Sequence, residues 1–267
     1  MSQNKYFFVF LLIVLSMVSA DVVMSIPVSD TDNKHNLSSS ATHGGPHAQP
    51  VSTGGTDQIC IFCHTPHSAT PDSTLWSRPD PNSSTFKLYG GQLVIKGDLP
   101  GSPANSVDHS KYQLAGPDPY PSGSSRLCLS CHDGVTAIGL LNIGTPIAMV
   151  SGQEVVTGSA MINLETSHPI SFVYDTDVLA DIVSVRGDTY QLPLNLTVFT
   201  PLDGANKMQC TTCHDPHEDT KADGYSVPFW RHRGTPIVNP YEDVCNQCHI
   251  GGTPGFPAGD HNPGPGI

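Results

Sequence analysis

The sequence predicts a mostly irregular fold, with short helices at four cysteine-containing motifs and a few short β-hairpins. Three observations carry this. The chain of 267 residues holds 25 glycines and 24 prolines, residues that interrupt helices and strands wherever they fall. Asp, Glu, Lys and Arg make up only 13% of it, against roughly 25% in an average domain, and apolar residues are not rich enough for a large ordinary core. Finally, all eight cysteines fall into one repeated spacing.

Residues 1–20 read as a secretory signal peptide. Lys5 supplies the positive start, Tyr6 to Val18 is an apolar run too short for a typical bilayer span of about 20 residues, and Val18-Ser19-Ala20 fits a small-residue cleavage site. The other reading is an uncleaved anchor. No later segment is apolar and long enough to span a membrane. Residues 21–267 are read as a single exported domain. The formal charge is −12, one unit more negative without Lys5. That acidity argues against nucleic acid as a partner, because phosphate binding needs clustered Lys and Arg.

The cysteines form four C-x-x-C pairs, Cys60/Cys63, Cys128/Cys131, Cys210/Cys213 and Cys245/Cys248, and a histidine follows each at once: His64, His132, His214 and His249. With 13 histidines in 267 residues, four such placements are not chance. C-x-x-C-H is the attachment sequence of c-type haem. Two thiols add to the vinyl groups on one edge of the porphyrin, and the adjacent histidine binds iron from one face. Zinc held by paired C-x-x-C units and redox disulfides are the competing readings, and neither needs the histidine. Four covalently bound haems c then supply the interior that the side chains lack.

Nine histidines remain for the opposite faces of the irons: His35, His43, His47, His67, His109, His168, His217, His232 and His261. Methionine is the alternative sixth ligand, but outside the signal only Met24, Met149, Met161 and Met208 are present. Surplus histidine and sparse methionine point to bis-histidine iron with no open position for substrate. The first and third motifs extend to CIFCHTPH and CTTCHDPH. If His64 and His67 share a helical turn, their Cβ atoms lie about 5–6 Å apart. His67 cannot reach the far side of the ring that His64 already holds, so it serves a different haem. His217 stands in the same relation to His214. The repeated motif therefore reads as a clamp for haem pairs. His168, in TSHPISFVYD, reads as an inward histidine at a strand start, and His35 as a ligand early in the mature chain. His43 and His47, in HGGPH, are either ligands or loop residues. His109, His232 and His261 read as surface residues.

Along the chain, residues 21–58 form a polar, loop-rich arm. Residues 66–126 are rich in Pro, Gly and Ser, with one strand-like stretch, 87–96. An apolar run covers 135–143. Between 147 and 200 the Val, Ile, Thr and Tyr content predicts short strands, best at 170–174 and 192–199. The tight spacing from His214 to Cys245 predicts adjacent third and fourth haems. Asn36, Asn82 and Asn195 open glycosylation sequons, a number that chance alone provides.

KHNLS, CIFCHTPH, LCLSCHDG, HPISF and CTTCHDPH, in this order, resemble the polyhaem c-type cytochromes of metal-reducing microbes. The four-haem count is similar to that of the extracellular tetrahaem, OmcE-like cytochromes that polymerise into nanowire filaments. The resemblance implies stacked bis-histidine haems, sparse secondary structure, and a distal histidine that can cross between subunits. It also implies His35, His67, His168 and His217 as the four distal ligands. HGGPH and the tail after His249 depart from the family pattern. The expected function is electron transfer outside the cytoplasm, with a homo-polymer, other redox proteins or extracellular acceptors as partners. A monomeric periplasmic shuttle is one alternative. A reductase with one open iron is another, against which the histidine surplus weighs. His35, on a flexible arm, is expected to reach a neighbouring copy's terminal iron, with His43 or His47 as the reserve.

Mass analysis of the denatured mature protein is expected to return the peptide plus four haem masses. A peptide-only mass, or bound zinc, contradicts the four-haem reading.

Overall fold

The computed structural model describes residues 26–67, 75–81, 121–142, 144–156, 168, 170–186, 190–193, 202–220, 229–231 and 242–250. Turns and loops dominate these residues. Two pairs of two-residue strands are antiparallel: β1 (Ile26–Pro27) with β4 (Glu218–Asp219), and β2 (Phe172–Val173) with β3 (Lys207–Met208). Neither pair is a hairpin. Each joins segments remote in sequence, so the strands act as clasps that close long loops. β2 lies inside the predicted 170–174 strand. The predicted strand at 192–199 lies mostly, and that at 87–96 wholly, outside the described residues.

Four short helices accompany the strands: α1 (Gly123–His132), α2 (Thr176–Arg186), α3 (Cys210–Cys213) and α4 (Glu242–Cys245). A 3-10 turn covers Cys60–Phe62. α2 differs from expectation, since Val and Ile in this region predicted strands. Asp175 is the reason. Its Oδ1 accepts from the backbone N–H of Asp177 at 3.1 Å and of Val178 at 3.0 Å, which satisfies donors that a helix start leaves open. Val178 and Ile182, one turn apart, then share the buried face.

α1 and α3 dock closely. Ser125 Oγ accepts from the Cys210 N–H at 2.9 Å, and Ser124 and Thr211 hydroxyls meet at 2.6 Å. Gly123 opens α1 at φ +57, and a Cβ there would lie 2.6 Å from Gln209 Nε2. Only glycine allows both the backbone angle and that approach. Gln209 also closes the start of α3, donating its N–H to Thr212 Oγ1 at 2.9 Å.

Two small apolar clusters form the side-chain core. Leu37, Ala48, Phe62, Ile138 and Met149 make one, with Cys63 at its edge. Phe172, Tyr174, Val178, Ile182 and Met208 make the other, with Cys248 at its edge. Met149 and Met208 thus serve as packing residues.

The polar arm departs from expectation. Loop-rich it is, but it is packed into the body. Leu37 and Ala48 belong to the first cluster, and Asn33, Asn36 and Ser38 are fully buried. Local hydrogen bonds make that burial tolerable: Asn33 Nδ2 donates to Ile26 O, Asn36 Nδ2 to Asp30 O, and Ser38 Oγ to Asn36 Oδ1. The Asn36 amide is consequently closed to a glycan. His35 lies within this packed stretch.

Asp175→Ala should remove the α2 cap and cost about 1 kcal/mol, read as a lower midpoint in thermal or chemical unfolding of the full protein. An unchanged midpoint would mean that α2 does not depend on this cap.

Candidate haem-binding site

The first and third motifs are built alike. In each, the helical turn gives way before the motif histidine, at Phe62 in the first and Cys213 in the third. His64 and His214 then adopt extended backbone, bridged to Trp76 and Trp230 respectively. The condition that the two histidines of a motif share a helical turn is therefore not met. Pro66 and Pro216 stand where a continuing helix would run, and the bridging segment takes the backbone hydrogen bonds instead. Thr65 N–H donates to Leu75 O at 2.7 Å and Ser77 N–H to Cys63 O at 3.0 Å. Asp215 N–H donates to Phe229 O at 2.7 Å and Arg231 N–H to Cys213 O at 2.8 Å. The two frames match bond for bond.

The fourth motif shares part of this frame. Tyr190 bridges His249, and Gln191 N–H donates to Cys248 O at 2.8 Å. The second motif is different, because α1 continues through His132.

Two pairs of imidazoles from remote segments face each other. The rings of His64 and His217 have centroids 6.4 Å apart with planes 13° from parallel. Those of His35 and His132 are 6.1 Å apart with planes at 58°. Each pair joins a motif histidine to one of the anticipated distal residues. His35 is also oriented from behind. Its Nδ1 contacts Pro216 O at 2.8 Å, and Phe229 stacks on its ring at 4.1 Å. A backbone carbonyl on Nδ1 is the arrangement that aims Nε2 at a metal.

Electrostatics favour neutral imidazole, the ligating form. Burial pushes the His132 pKa down to about 3, with the charges of His35, His214 and Arg78 acting in the same direction. Burial also lowers His35, partly offset by the Pro216 carbonyl. His132 Nδ1 is buried with no hydrogen-bond partner.

Thiols of successive motifs influence one another. Burial pushes Cys63 up to about 12, helped by nearby Cys131, which is itself pushed up to about 11 by burial. Cys128 and Cys210 hydrogen-bond to each other, so Cys128 is pushed well up and Cys210 down. Cys213 is pushed up to about 12 by burial, with Cys245 and Cys248 adding to it. The first motif thus neighbours the second, the second the third, and the third the fourth. Among the described residues no group of three or more His, Cys, Asp or Glu is arranged to hold a metal ion.

The remaining anticipated residues lie as follows. His67 and His168 are exposed. His43 accepts from the Gly45 N–H through Nδ1 and donates to Asn36 O through Nε2, so it holds the HGGPH loop together. His47 Nδ1 donates to Gly45 O at 2.8 Å. His109, His232 and His261 lie outside the described residues.

Sequence reasoning missed several residues. Trp76 and Trp230, the chain's two tryptophans, each set an edge against a motif histidine, at 5.7 Å and 89° and at 5.5 Å and 78°. Arg78 is fully buried and donates to Ser130 O, Ala137 O and Ile138 O, pinning the loop after the second motif beside the first. The recurrence of a tryptophan beyond each of the two extended motifs, in L-W-S and F-W-R, was the available signal, though not at a fixed spacing.

No family model matches the sequence. The chain is similar to polyhaem c-type cytochromes. It is 22% identical over 216 residues to the C-type polyheme cytochrome OmcB of Geobacter sulfurreducens (strain DL-1 / KN400), covering 74% of this chain and 26% of that protein. The same figures hold for OmcB of Geobacter sulfurreducens (strain ATCC 51573 / DSM 12127 / PCA). The chain therefore spans about a quarter of the length of the curated relatives it matches. The similarity supports a multihaem c-type cytochrome with covalently bound haem. No helix among the described residues is long and apolar enough to cross a membrane.

Arg78→Met should remove the guanidinium donors from Ser130 O and Ile138 O, while Ala137 O keeps the Leu140 N–H, at about 1–3 kcal/mol for each group left unsatisfied. The expected result is a markedly lower melting temperature of the haem-loaded protein. Arg78→Lys should not restore it, because a point ammonium cannot reproduce the planar fork. A wild-type midpoint in either variant contradicts this.

Proposed function

We propose that the chain carries electrons through four covalently attached, bis-histidine c-type haems. The observation that carries the reading is the pair of imidazole separations, 6.4 and 6.1 Å. A metal–imidazole bond of about 2 Å on each side, with about 1 Å more from each nitrogen to its ring centre, puts two axial imidazoles about 6 Å apart. The two separations are of the size that an iron between the rings requires, which supports the reading at two motifs. Cys60 and Cys63 would attach the first haem, with His64 and His217 on its iron. Cys128 and Cys131 would attach the second, with His132 and His35.

The likeness of the first and third motifs supports His67 as the partner of His214, a reciprocal exchange of distal histidines between the two extended motifs. His168 is left for His249. It precedes β2, whose Phe172 belongs to the apolar cluster that reaches Cys248. The haems would supply one-electron redox chemistry at low potential, and the protein would supply spacing and ligation. Six-coordinate iron on every haem leaves no position for substrate, which favours a carrier over a reductase.

We further propose that the chain is exported and works against other copies of itself in an extracellular filament, passing electrons to other redox proteins or extracellular acceptors. The chain-order row of attachment sites supports this, since a row is useful over distance only where its ends meet other haems. Heterologous contacts of that kind propagate when they do not close. Negative-stain microscopy of the secreted, haem-loaded protein tests it, and particles of single-chain size at all concentrations would leave the shuttle reading in its place.

His217→Ala and His35→Ala should each turn one haem of four high-spin while all four stay attached. Carbon monoxide should shift the reduced bands of the variants and not of the wild type. Wholly low-spin spectra in both variants overturn the ligand pairing.

A further inference from the structure

Three of the four proximal histidines share a device that the C-x-x-C-H sequence does not encode. An aromatic residue from elsewhere in the chain forms a backbone bridge to the histidine: Trp76 to His64, Trp230 to His214, Tyr190 to His249. The residue after each aromatic donates its N–H to the carbonyl of that motif's second cysteine, at 3.0, 2.8 and 2.8 Å. The aromatic ring then lies against the imidazole, at centroid distances of 5.7, 5.5 and 4.9 Å. Two of the three frames hold a strained residue. Leu75 and Phe229, each directly before its tryptophan, adopt φ +55 and +61. Bulky side chains rarely take that conformation, and it persists where the surroundings over-determine it. Trp76 is further locked, since its indole Nε1 donates to Ser130 Oγ at 3.1 Å, within the second motif's helix.

We propose that Trp76, Trp230 and Tyr190 are positioning residues that fix the rotation of the proximal imidazoles and thereby the angle between the two imidazole planes at each iron. The proposal rests on the bis-histidine reading above. The torsion that turns an imidazole about its Cβ–Cγ bond is broad and soft, so a ring without a wall beside it is free to rotate. The structure contains a motif histidine with such a bridge and one without it. His64, braced by Trp76, lies 13° from parallel with His217. His132, which sits in a helix without such a bridge, lies at 58° to His35.

That angle has a direct spectroscopic signature. In low-spin ferric haem, parallel imidazole planes split the two π-type d orbitals of iron and give a rhombic electron paramagnetic resonance signal. Crossed planes leave those orbitals nearly degenerate and give a large-gmax signal. The test uses the full haem-loaded chain, with haem stoichiometry measured alongside the resonance spectrum. Wild type should show both signal classes. Trp76→Leu should move one haem equivalent of four out of the rhombic class with all four haems attached and low-spin, and Trp76→Phe should keep it there. Tyr190→Leu is the second variant, and it decides the matter where Trp76→Leu does not accumulate with four haems. It should shift one other haem's g-values. Four low-spin haems with unchanged g-values in the deciding leucine variant overturn the brace and leave the ligand reading standing. Fewer than four low-spin haems in the wild type overturn the ligand reading itself.

Discussion

The facing of imidazoles from remote segments is the constraint on which the rest of the structure depends. His64 meets His217 and His132 meets His35, and in both cases the intervening chain must fold back across the body. The β1–β4 clasp serves this directly. It binds the chain near residue 26 to residues 218 and 219, immediately beside His217. The Pro216 carbonyl then reaches His35, so the two facing pairs are held by one short segment. Removing that segment would release His217 from His64 and His35 from His132 at once.

The scarcity of ordinary core follows from the same constraint. Among the described residues the apolar core is two five-residue clusters, and covalently bound haem would add buried surface to it. Each cluster ends at a cysteine of an attachment motif, so apolar side chains run into the place where a porphyrin edge would begin. Buried polar groups fill the remaining gaps, and they do so with their hydrogen bonds made. Arg78 is the extreme case, a fully buried guanidinium spent on backbone carbonyls.

Legibility in the sequence followed the range of the interaction concerned. The attachment motifs depend on residues one to four apart, so Cys60 to His64 and its three counterparts stand out in the sequence itself. The facing partners depend on three-dimensional return of the chain, and spacing alone assigns no distal histidine to a particular iron. The α2 helix was legible in principle, through Asp175 as a cap and Val178 with Ile182 on one face, but β-branched composition outweighed that signal. The arm was misjudged because Asn and Ser are counted as surface residues, whereas Asn33, Asn36 and Ser38 are buried with their own loops as partners. The tryptophan bridges were hidden because the aromatic residue and its histidine are linked by backbone bonds that leave no fixed spacing: His64 and Trp76 are closer in sequence than His214 and Trp230.

The two facing pairs also differ in the order in which their members leave the machinery that makes or exports the chain. A chain delivered N-terminus first presents His35 well before the second motif arrives, so that site meets a waiting partner. The first motif emerges long before His217. Its attachment point must persist through the delivery of most of the chain before its partner exists. Assembly of the first site is therefore gated by the third motif, and a chain truncated between His132 and Pro216 leaves the first site one-sided and His35 without the Pro216 carbonyl and Phe229 ring that orient it.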